Sequence, residues 1–326
     1  MKLIGLILSL IALFAAAAAS VVFGVTDIPL ASVWRSFLQP DGSTEHLVIR
    51  TTRLPRSLIA ASVGASLAVA GALMQVVTRN PIASPSTLGV NAGAVFFIVL
   101  ASEWLGVSGM QALTGVALAG AALSGGIVFF LGSVGRDGMT PVKITLAGAA
   151  MAAFFYSISQ GLMLSDGKMF DQVLVWLVGS VAGRNLAQLQ TVWPYLAAGM
   201  LLALLLSRHL NVLAMGDESA RGLGQRTALI KTLSAAAVIL LAGGSVAVAG
   251  PVAFVGIIIP HIVRLLVGSD YRWIVPYSAL LGGLLLVAAD IGSRYIAMPK
   301  EVPVGVVTAL IGVPFFVIAA RKGERL

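Results

Sequence analysis

The sequence predicts an all-α polytopic membrane protein, and three observations support this class. Of its 326 residues, 58% are hydrophobic and only 10% are charged, whereas soluble domains carry about 25% charged residues. The mean hydropathy is +0.99. The apolar residues form continuous blocks, not the alternating segments of about ten residues that a β-barrel requires. We therefore expect one transmembrane domain over residues 1–326, with ten transmembrane helices.

The expected spans are the apolar blocks that short polar turns separate. They cover residues 3–25, 57–77, 88–102, 110–134, 144–164, 192–206, 233–249, 253–267, 274–289 and 304–320. Residues 27–56 and 290–303 are polar and are expected to be external loops. Residues 173–181 are too short to span and predict a re-entrant or surface helix. Pro260 is expected to break the eighth span.

The first block carries one ambiguity. Its alanines Ala15–Ala19, followed by Ser20, resemble a signal-peptide cleavage region. A signal peptide has an apolar region of about 7–15 residues, and this block is longer. We therefore favour a span that stays in the protein.

The basic residues indicate the orientation. Ten spans place both termini on one side, and a cytoplasmic assignment puts thirteen of the 21 lysines and arginines in inner segments. This bias favours cytoplasmic termini. The net charge of +8 is explained by residues that flank helices next to membrane lipid, and the bases form no stripe that would favour nucleic acid.

A polar island interrupts the apolar pattern at residues 208–231 (RHLNVLAMGDESARGLGQRTALIK). It cannot lie in hydrocarbon, so it must stand in water, on the cytoplasmic side by the orientation above. We expect a short helix over residues 215–223, a break at Gly222 or Gly224, and a new helix near Thr227. Residues 212–226, called the knob below, are then a site for docking another protein. An ordinary solvated loop is the alternative.

The chain contains little chemistry of its own. No stretch fits the phosphate-binding pattern G-x-x-x-x-G-K-[ST], so we expect no nucleotide hydrolysis and no enzyme activity. Cysteine is absent, and His46, His209 and His261 lie far apart, so we expect no metal or other cofactor. Few ionisable residues fall within the spans, which disfavours ion-coupled transport. Asp290 is expected to pair with Arg294 one helical turn later.

One internal similarity suggests a repeat. Ser66–Gly71 (SLAVAG) resembles Ser245–Gly250 (SVAVAG), and by the span count these two segments run in opposite directions. We therefore expect an inverted repeat of spans two to five in spans seven to ten, an arrangement found in transporters.

The motifs together resemble the FecCD family, the permeases of ABC importers for ferric siderophores, haem and cobalamin. The matching segments are residues 53–56 (RLPR), 79–94 (RNPIASPSTLGVNAGA), 216–224 (GDESARGLG), 250–264 (GPVAFVGIIIPHIVR) and 302–308 (VPVGVVT). The resemblance implies a BtuC-like ABC importer permease fold with ten helices in the bacterial inner membrane. It also implies a second permease chain (identical or related), a cytoplasmic dimer of ABC ATPases, and a periplasmic or lipid-anchored binding protein.

The resemblance also assigns roles to residues. The coupling segment that seats in the ATPase corresponds to Gly216, Asp217, Glu218, Ser219, Ala220, Arg221, Gly222, Leu223 and Gly224. The arginines that meet the binding protein correspond to Arg53, Arg56 and Arg294; the alternative is that they anchor helix ends at lipid headgroups. The fifth span is expected to line the translocation path through Ser157, Ser159 and Gln160.

The sequence leaves alternatives open for the transported substrate and for the class of protein. Gly89–Ala94 (GVNAGA) is more similar to the siderophore members of the family than to the cobalamin members, so we expect a ferric siderophore. Haem and cobalamin are the alternatives within the family. An ion-coupled secondary transporter that acts alone, or a scaffold that transports nothing, are alternatives from other classes.

Overall fold

The computed structural model describes residues 2–24, 28–38, 41–107, 109–135, 140–165, 177–298 and 300–322, which are mostly helical and contain no β-strand. The α-helices are α1 Lys2–Val22, α2 Leu30–Leu38, α3 Thr44–Val48, α4 Leu54–Thr78, α5 Val90–Leu105, α6 Met110–Ser133, α7 Pro141–Ser165, α8 Leu186–Ala214, α9 Asp217–Gly222, α10 Thr227–Ala249, α11 Val255–Val267, α12 Tyr271–Ser293 and α13 Val304–Lys322. The all-α class is confirmed.

Every predicted span coincides with one of these helices. Among the described residues, seven helical segments are long and apolar enough to cross a membrane, and α5, α11 and the apolar part of α13 are shorter. The number of crossings and the side of the termini stay predictions. "Inner" and "outer" below follow the predicted orientation, in which α4 runs from its outer end at Leu54 to its inner end at Thr78.

Helix α4 lies at the centre of the bundle, where it packs against α8, α10, α11 and α12. Most of its residues are buried, and glycines set its closest contacts. Gly64 packs on the backbone of Gly282 in α12, and Gly71 packs on Gly256 in α11. Small residues let helix backbones approach closely and gain van der Waals contact in a membrane.

The segment over residues 27–56, predicted as an external loop, is mostly helical where the structure describes it. The described part of this segment contains α2, α3 and a π-helical turn, Ile49–Arg53, which continues directly into α4. Ser43 caps α3 by accepting a hydrogen bond from the His46 amide. Pro55 lies in the first turn of α4, the part of a helix that tolerates proline best. The second span therefore belongs to a helical segment that begins at Thr44.

Several helices extend beyond the predicted spans. Asn185 and Gln188 form a capping box that starts α8, and α8 continues to Ala214; residues 208–214 are thus helix, not part of a loop. Helix α12 runs to Ser293 and includes Asp290, which was expected in an external loop. Of the short helix predicted over 173–181, residues 173–176 lie outside the described residues, and 178–181 are not helical.

Pro260 does not break its helix, contrary to the prediction. Helix α11 continues from Val255 to Val267 with Pro260 inside it. A proline cannot donate to the carbonyl four residues earlier, which here is that of Gly256. The buried Gln75 side chain of α4 donates to this carbonyl at 3.1 Å. A hydrogen bond from a neighbouring helix therefore replaces the one that the proline removes.

Candidate functional site

The knob contains a short helix between two glycines. Helix α9 spans Asp217–Gly222, Gly216 before it has a φ of 113°, and Gly224 after it has a φ of 79°. Such values suit glycine and few other residues. The predicted break at Gly224 and the new helix at Thr227 are confirmed, while α9 is shorter than the predicted 215–223. Its acidic first turn and basic last turn complement the helix dipole.

Asp217 holds the knob to two different helices. Its carboxylate lies 2.6 Å from the Lys231 ammonium in α10 and 2.9 Å from the guanidinium of Arg79, the residue that ends α4. Burial by itself would raise the pKa of Asp217, but Lys231, with Arg79 and Arg221 adding to it, holds that pKa below its usual value. The carboxylate is therefore charged at neutral pH and joins three elements.

Further contacts fix the knob against its neighbours. Arg221 donates to the Thr227 hydroxyl at 3.3 Å, and the Gln225 amide donates to the His209 carbonyl oxygen at 2.8 Å. Within α9, Ala220 is fully buried. These contacts attach both sides of the short helix to α8 and α10.

The other face of the knob is open. Met215 and Leu223 are 65% and 66% exposed, and Glu218, Ser219 and Arg221 are exposed beside them. Two apolar side chains within a charged helical surface are a suitable combination for a groove on another protein, because burial of the apolar groups supplies affinity and the charges fix the orientation.

The three predicted docking arginines lie at the outer end of the bundle and point inward. Arg53, Arg56 and Arg294 are 6%, 7% and 3% exposed. The Arg56 Nε donates to both carboxylate oxygens of Asp290 at 2.9 and 3.0 Å, and its NH1 donates to Glu301 at 2.7 Å. Arg294 donates to the same Asp290 carboxylate at 2.6 Å, so the predicted pair four residues apart is confirmed.

Backbone carbonyl groups at the end of α1 accept further hydrogen bonds from Arg53 and Arg294. Arg53 donates to Val21 and Val22 at 2.9 and 2.6 Å, and Arg294 donates to Ser20 and Phe23 at 2.7 and 2.6 Å. The last carbonyls of a helix lack partners within it and carry partial negative charge. This outer network therefore ties α1 to α4 and α12, and the docking role of its arginines stays a prediction.

The predicted path residues of α7 differ in their environment. Ser157 and Gln160 are exposed, whereas Ser159 is 1% exposed and donates to the Phe155 carbonyl oxygen at 2.7 Å. In the apolar stretch of α7, only 22% of the residues are buried. An exposed apolar helix of this kind can contact lipid, another chain or a passing substrate. The assignment of these residues to the translocation path stays a prediction.

The structure adds residues that the sequence interpretation left without a role. Arg79 lies in a matching motif and Lys231 at the end of the island, and both bind Asp217. Glu301, whose side chain is 31% exposed, binds Arg56. Each pair joins segments that are separated in the chain, so no local pattern could have indicated it.

Known proteins similar to this chain are transport permeases. Residues 10–322 match the FecCD transport family. The chain is 52% identical over 325 residues to the "Probable siderophore transport system permease protein YfiZ" of Bacillus subtilis, covering 100% of this chain and 98% of the relative. It is 48% identical to the "Fe(3+)-citrate import system permease protein YfmD" of the same organism, with 93% and 90% covered. A solved inward-facing conformation of a metal-chelate type ABC transporter shares 26% identity and a TM-score of 0.85 over 99% of this chain and 100% of that one.

Proposed function

Because the chain belongs to the FecCD transport family, we propose that it is the permease subunit of an ABC importer that moves a ferric siderophore or a similar iron complex into the cell. The full-length similarity to relatives that are named as permeases for a siderophore and for ferric citrate carries this proposal. The chain is a multi-pass protein of the bacterial inner membrane, and its apolar helices agree with this location.

The energy for transport comes from separate subunits in this proposal. The sequence lacks the phosphate-binding pattern of an ATPase, so the chain itself is not catalytic. The knob is the surface on which a cytoplasmic ATPase dimer acts. Its support is physical: charged and hydrogen-bonded contacts hold the knob to its neighbours, and its residues Met215 and Leu223, which flank α9, are exposed. A firmly held helix transmits a rigid-body movement.

In this proposal, the binding protein docks on the outer surface directly above the outer network. It contains three arginines against Asp290 and Glu301, which leaves one positive charge in excess. An excess positive charge near the surface attracts carboxylates of a partner. Glu301 is the most exposed acidic member of this network, so a docking carboxylate that reaches Arg56 would have to replace it.

The exposed side of α7 faces a second permease chain and the substrate path in this proposal. Ser157 and Gln160 offer polar groups on a mostly apolar, exposed helix. A surface with few polar groups binds a large iron complex weakly. Weak binding is suitable for a path, because conduction requires that a substrate leaves as easily as it enters.

Uptake of radiolabelled iron tests the proposal. Cells that lack this chain are given ferric citrate, a ferric hydroxamate or a ferric catecholate, and we expect the loss of uptake of at least one complex, restored by the chain. The purified chain should bring an ATPase with it. If a proton gradient drives uptake into lipid vesicles that contain the chain but no ATPase, the chain is instead a secondary transporter. If uptake is unchanged in the deletion strain, the chain is a scaffold.

A further inference from the structure

Arg79 has an unusual backbone conformation at the inner end of α4. It ends the helix with a φ of 48°, and within the described ranges only Phe254 is another non-glycine residue with a positive φ. Helices that end in this conformation commonly use glycine, which avoids the steric cost of a side chain. A non-glycine residue in this left-handed conformation is strained, which points to a role for the side chain of Arg79 that glycine could not fill.

That side chain reaches the knob. The Arg79 guanidinium lies 2.9 Å from Asp217, the first residue of α9, and the Arg79 side chain is 45% exposed. The second partner of Asp217, Lys231, has a side chain that is only 5% exposed. Breaking a buried ion pair costs more than breaking an exposed one. The Lys231 pair therefore holds the knob firmly to α10, and the Arg79 pair connects the knob to the inner end of α4.

The position of Arg79 makes this pair a connection between the knob and two other segments, α4 and the turn before α5. Before Arg79 lies the buried central helix α4, and after it the turn that leads to α5. Gly89, at the end of this turn, is held by a hydrogen bond from the Ser124 hydroxyl in α6 to its carbonyl oxygen at 2.8 Å. A displacement of α9 at Asp217 thus reaches α4 directly, and α5 and α6 through the turn.

We propose that the Arg79–Asp217 ion pair is the joint through which movement of the knob is transmitted to the inner end of α4 and to the turn before α5. Arg79 is a positioning residue in this proposal, since it contacts neither ATP nor substrate. The proposal rests on the proposed function, in which an ATPase moves the knob. Without this joint, the ATPase would still seat on the knob, but part of its movement would not reach the helices of the bundle.

The test measures iron imported for each ATP hydrolysed. The chain, its ATPase and its binding protein are reconstituted in lipid vesicles, with the iron complex that the uptake assay identifies among ferric citrate, hydroxamate and catecholate. Arg79→Gln should leave assembly and ATP hydrolysis intact and lower the iron imported per ATP at least about fivefold, the low end of coupling between two sites. Arg79→Lys, which keeps the positive charge, should retain much of the iron import per ATP that Arg79→Gln loses.

Three further variants separate the effect of the Arg79 charge from other effects. Arg272→Gln is the matched control, because Arg272 also forms an exposed pair with an aspartate on the same side, but with Asp270 two residues away in the same helix cap; it should import normally. Arg79→Gly removes the backbone strain together with the charge, so it should equal or exceed the unsubstituted chain in thermal stability and still import poorly. The double variant Arg79→Gln with Asp217→Asn should be no worse than the more defective single variant.

The outcomes are distinct. A normal ratio of iron to ATP in Arg79→Gln, or an equal loss in Arg272→Gln, overturns the joint while the proposed function stands. Failure of Arg79→Gln to assemble with the ATPase also overturns it, because Arg79 would then only shape the docking surface. Absence of ATP-driven uptake by the unsubstituted complex overturns the proposed function and the joint together.

Discussion

The contact between α4 and α12 gives the sharpest test of the fold. We consider Gly64→Ala, which adds one methyl group where the two helices cross. That carbon would lie 2.7 Å from the Cβ of Leu286 and 2.8 Å from the carbonyl carbon of Gly282, and closer still to the Gly282 oxygen. Carbon atoms prefer about 3.5–4.0 Å, so the helices must separate by about 1 Å.

The cost follows from what surrounds the methyl group. Added volume in a packed core costs about 1–3 kcal/mol, and the upper end applies here because the opposing atoms include backbone that cannot rotate away. Alanine recovers about 0.5–1 kcal/mol relative to glycine within a helix. The net destabilisation is therefore about 2 kcal/mol, which corresponds to a fall in Tm of roughly 3 °C for a chain of 326 residues.

Thermal unfolding of the purified chain in detergent measures this change. Gly126→Ala in α6 is the control, because Gly126 is exposed and a methyl group there would meet no atom within 4 Å. The control should gain about 0.5–1 kcal/mol from helix propensity, so the two substitutions should move Tm in opposite directions. An unchanged or higher Tm in Gly64→Ala would refute the inference that this close approach holds α4 against α12.

Three more substitutions test the polar contacts. Asp290→Asn removes the carboxylate between two buried guanidinium groups and should cost about 3–5 kcal/mol; a Tm equal to that of the unsubstituted chain would contradict this network. Gln75→Leu leaves the carbonyl of Gly256 without its donor and should cost about 1–3 kcal/mol, which unfolding in detergent would detect. Asp270→Ala removes the N-cap of α12 and should cost about 1 kcal/mol. Hydrogen bonds from Arg272 hold the pKa of Asp270 below the usual value of an aspartate, so this loss should be constant from about pH 8 to 5 and shrink only as the pH falls below that usual value. A loss that shrinks near neutral pH would contradict the depressed pKa.

The transmembrane helices could be predicted because lipid imposes a simple rule. A backbone in hydrocarbon must satisfy its own hydrogen bonds, so each long apolar block becomes a helix. The rule does not give the ends of helices. Helix α8 continues through Arg208 and His209, since a helix does not end where the chain becomes polar. Pro260 remains inside α11 because Gln75, distant in the sequence, satisfies the carbonyl that the proline leaves free.

The limits of the knob helix depend on local residues and could be predicted. The direction in which the outer arginines point depends on residues far away in the sequence and could not. Gly216 and Gly224 mark the limits of α9 through backbone angles that glycine favours. The sequence placed Arg56 and Arg294 correctly at helix ends. Whether a guanidinium at such an end points outward or inward depends on Asp290 and on the carbonyls of α1, which come together only in the folded chain.

The two ends of α4 differ in a way that fits transport. At the outer end, Arg56 is bound to Asp290 within a buried network that also holds α1, and breaking such pairs is costly. At the inner end, Arg79 meets Asp217 of the knob in a more exposed pair, which anchors the helix less firmly than the buried network does. Between them, α4 is held by close glycine contacts that resist bending. A movement that begins at the knob would therefore displace the inner end of α4 more than the outer end, so we expect α4 to pivot about its outer network instead of shifting as a whole.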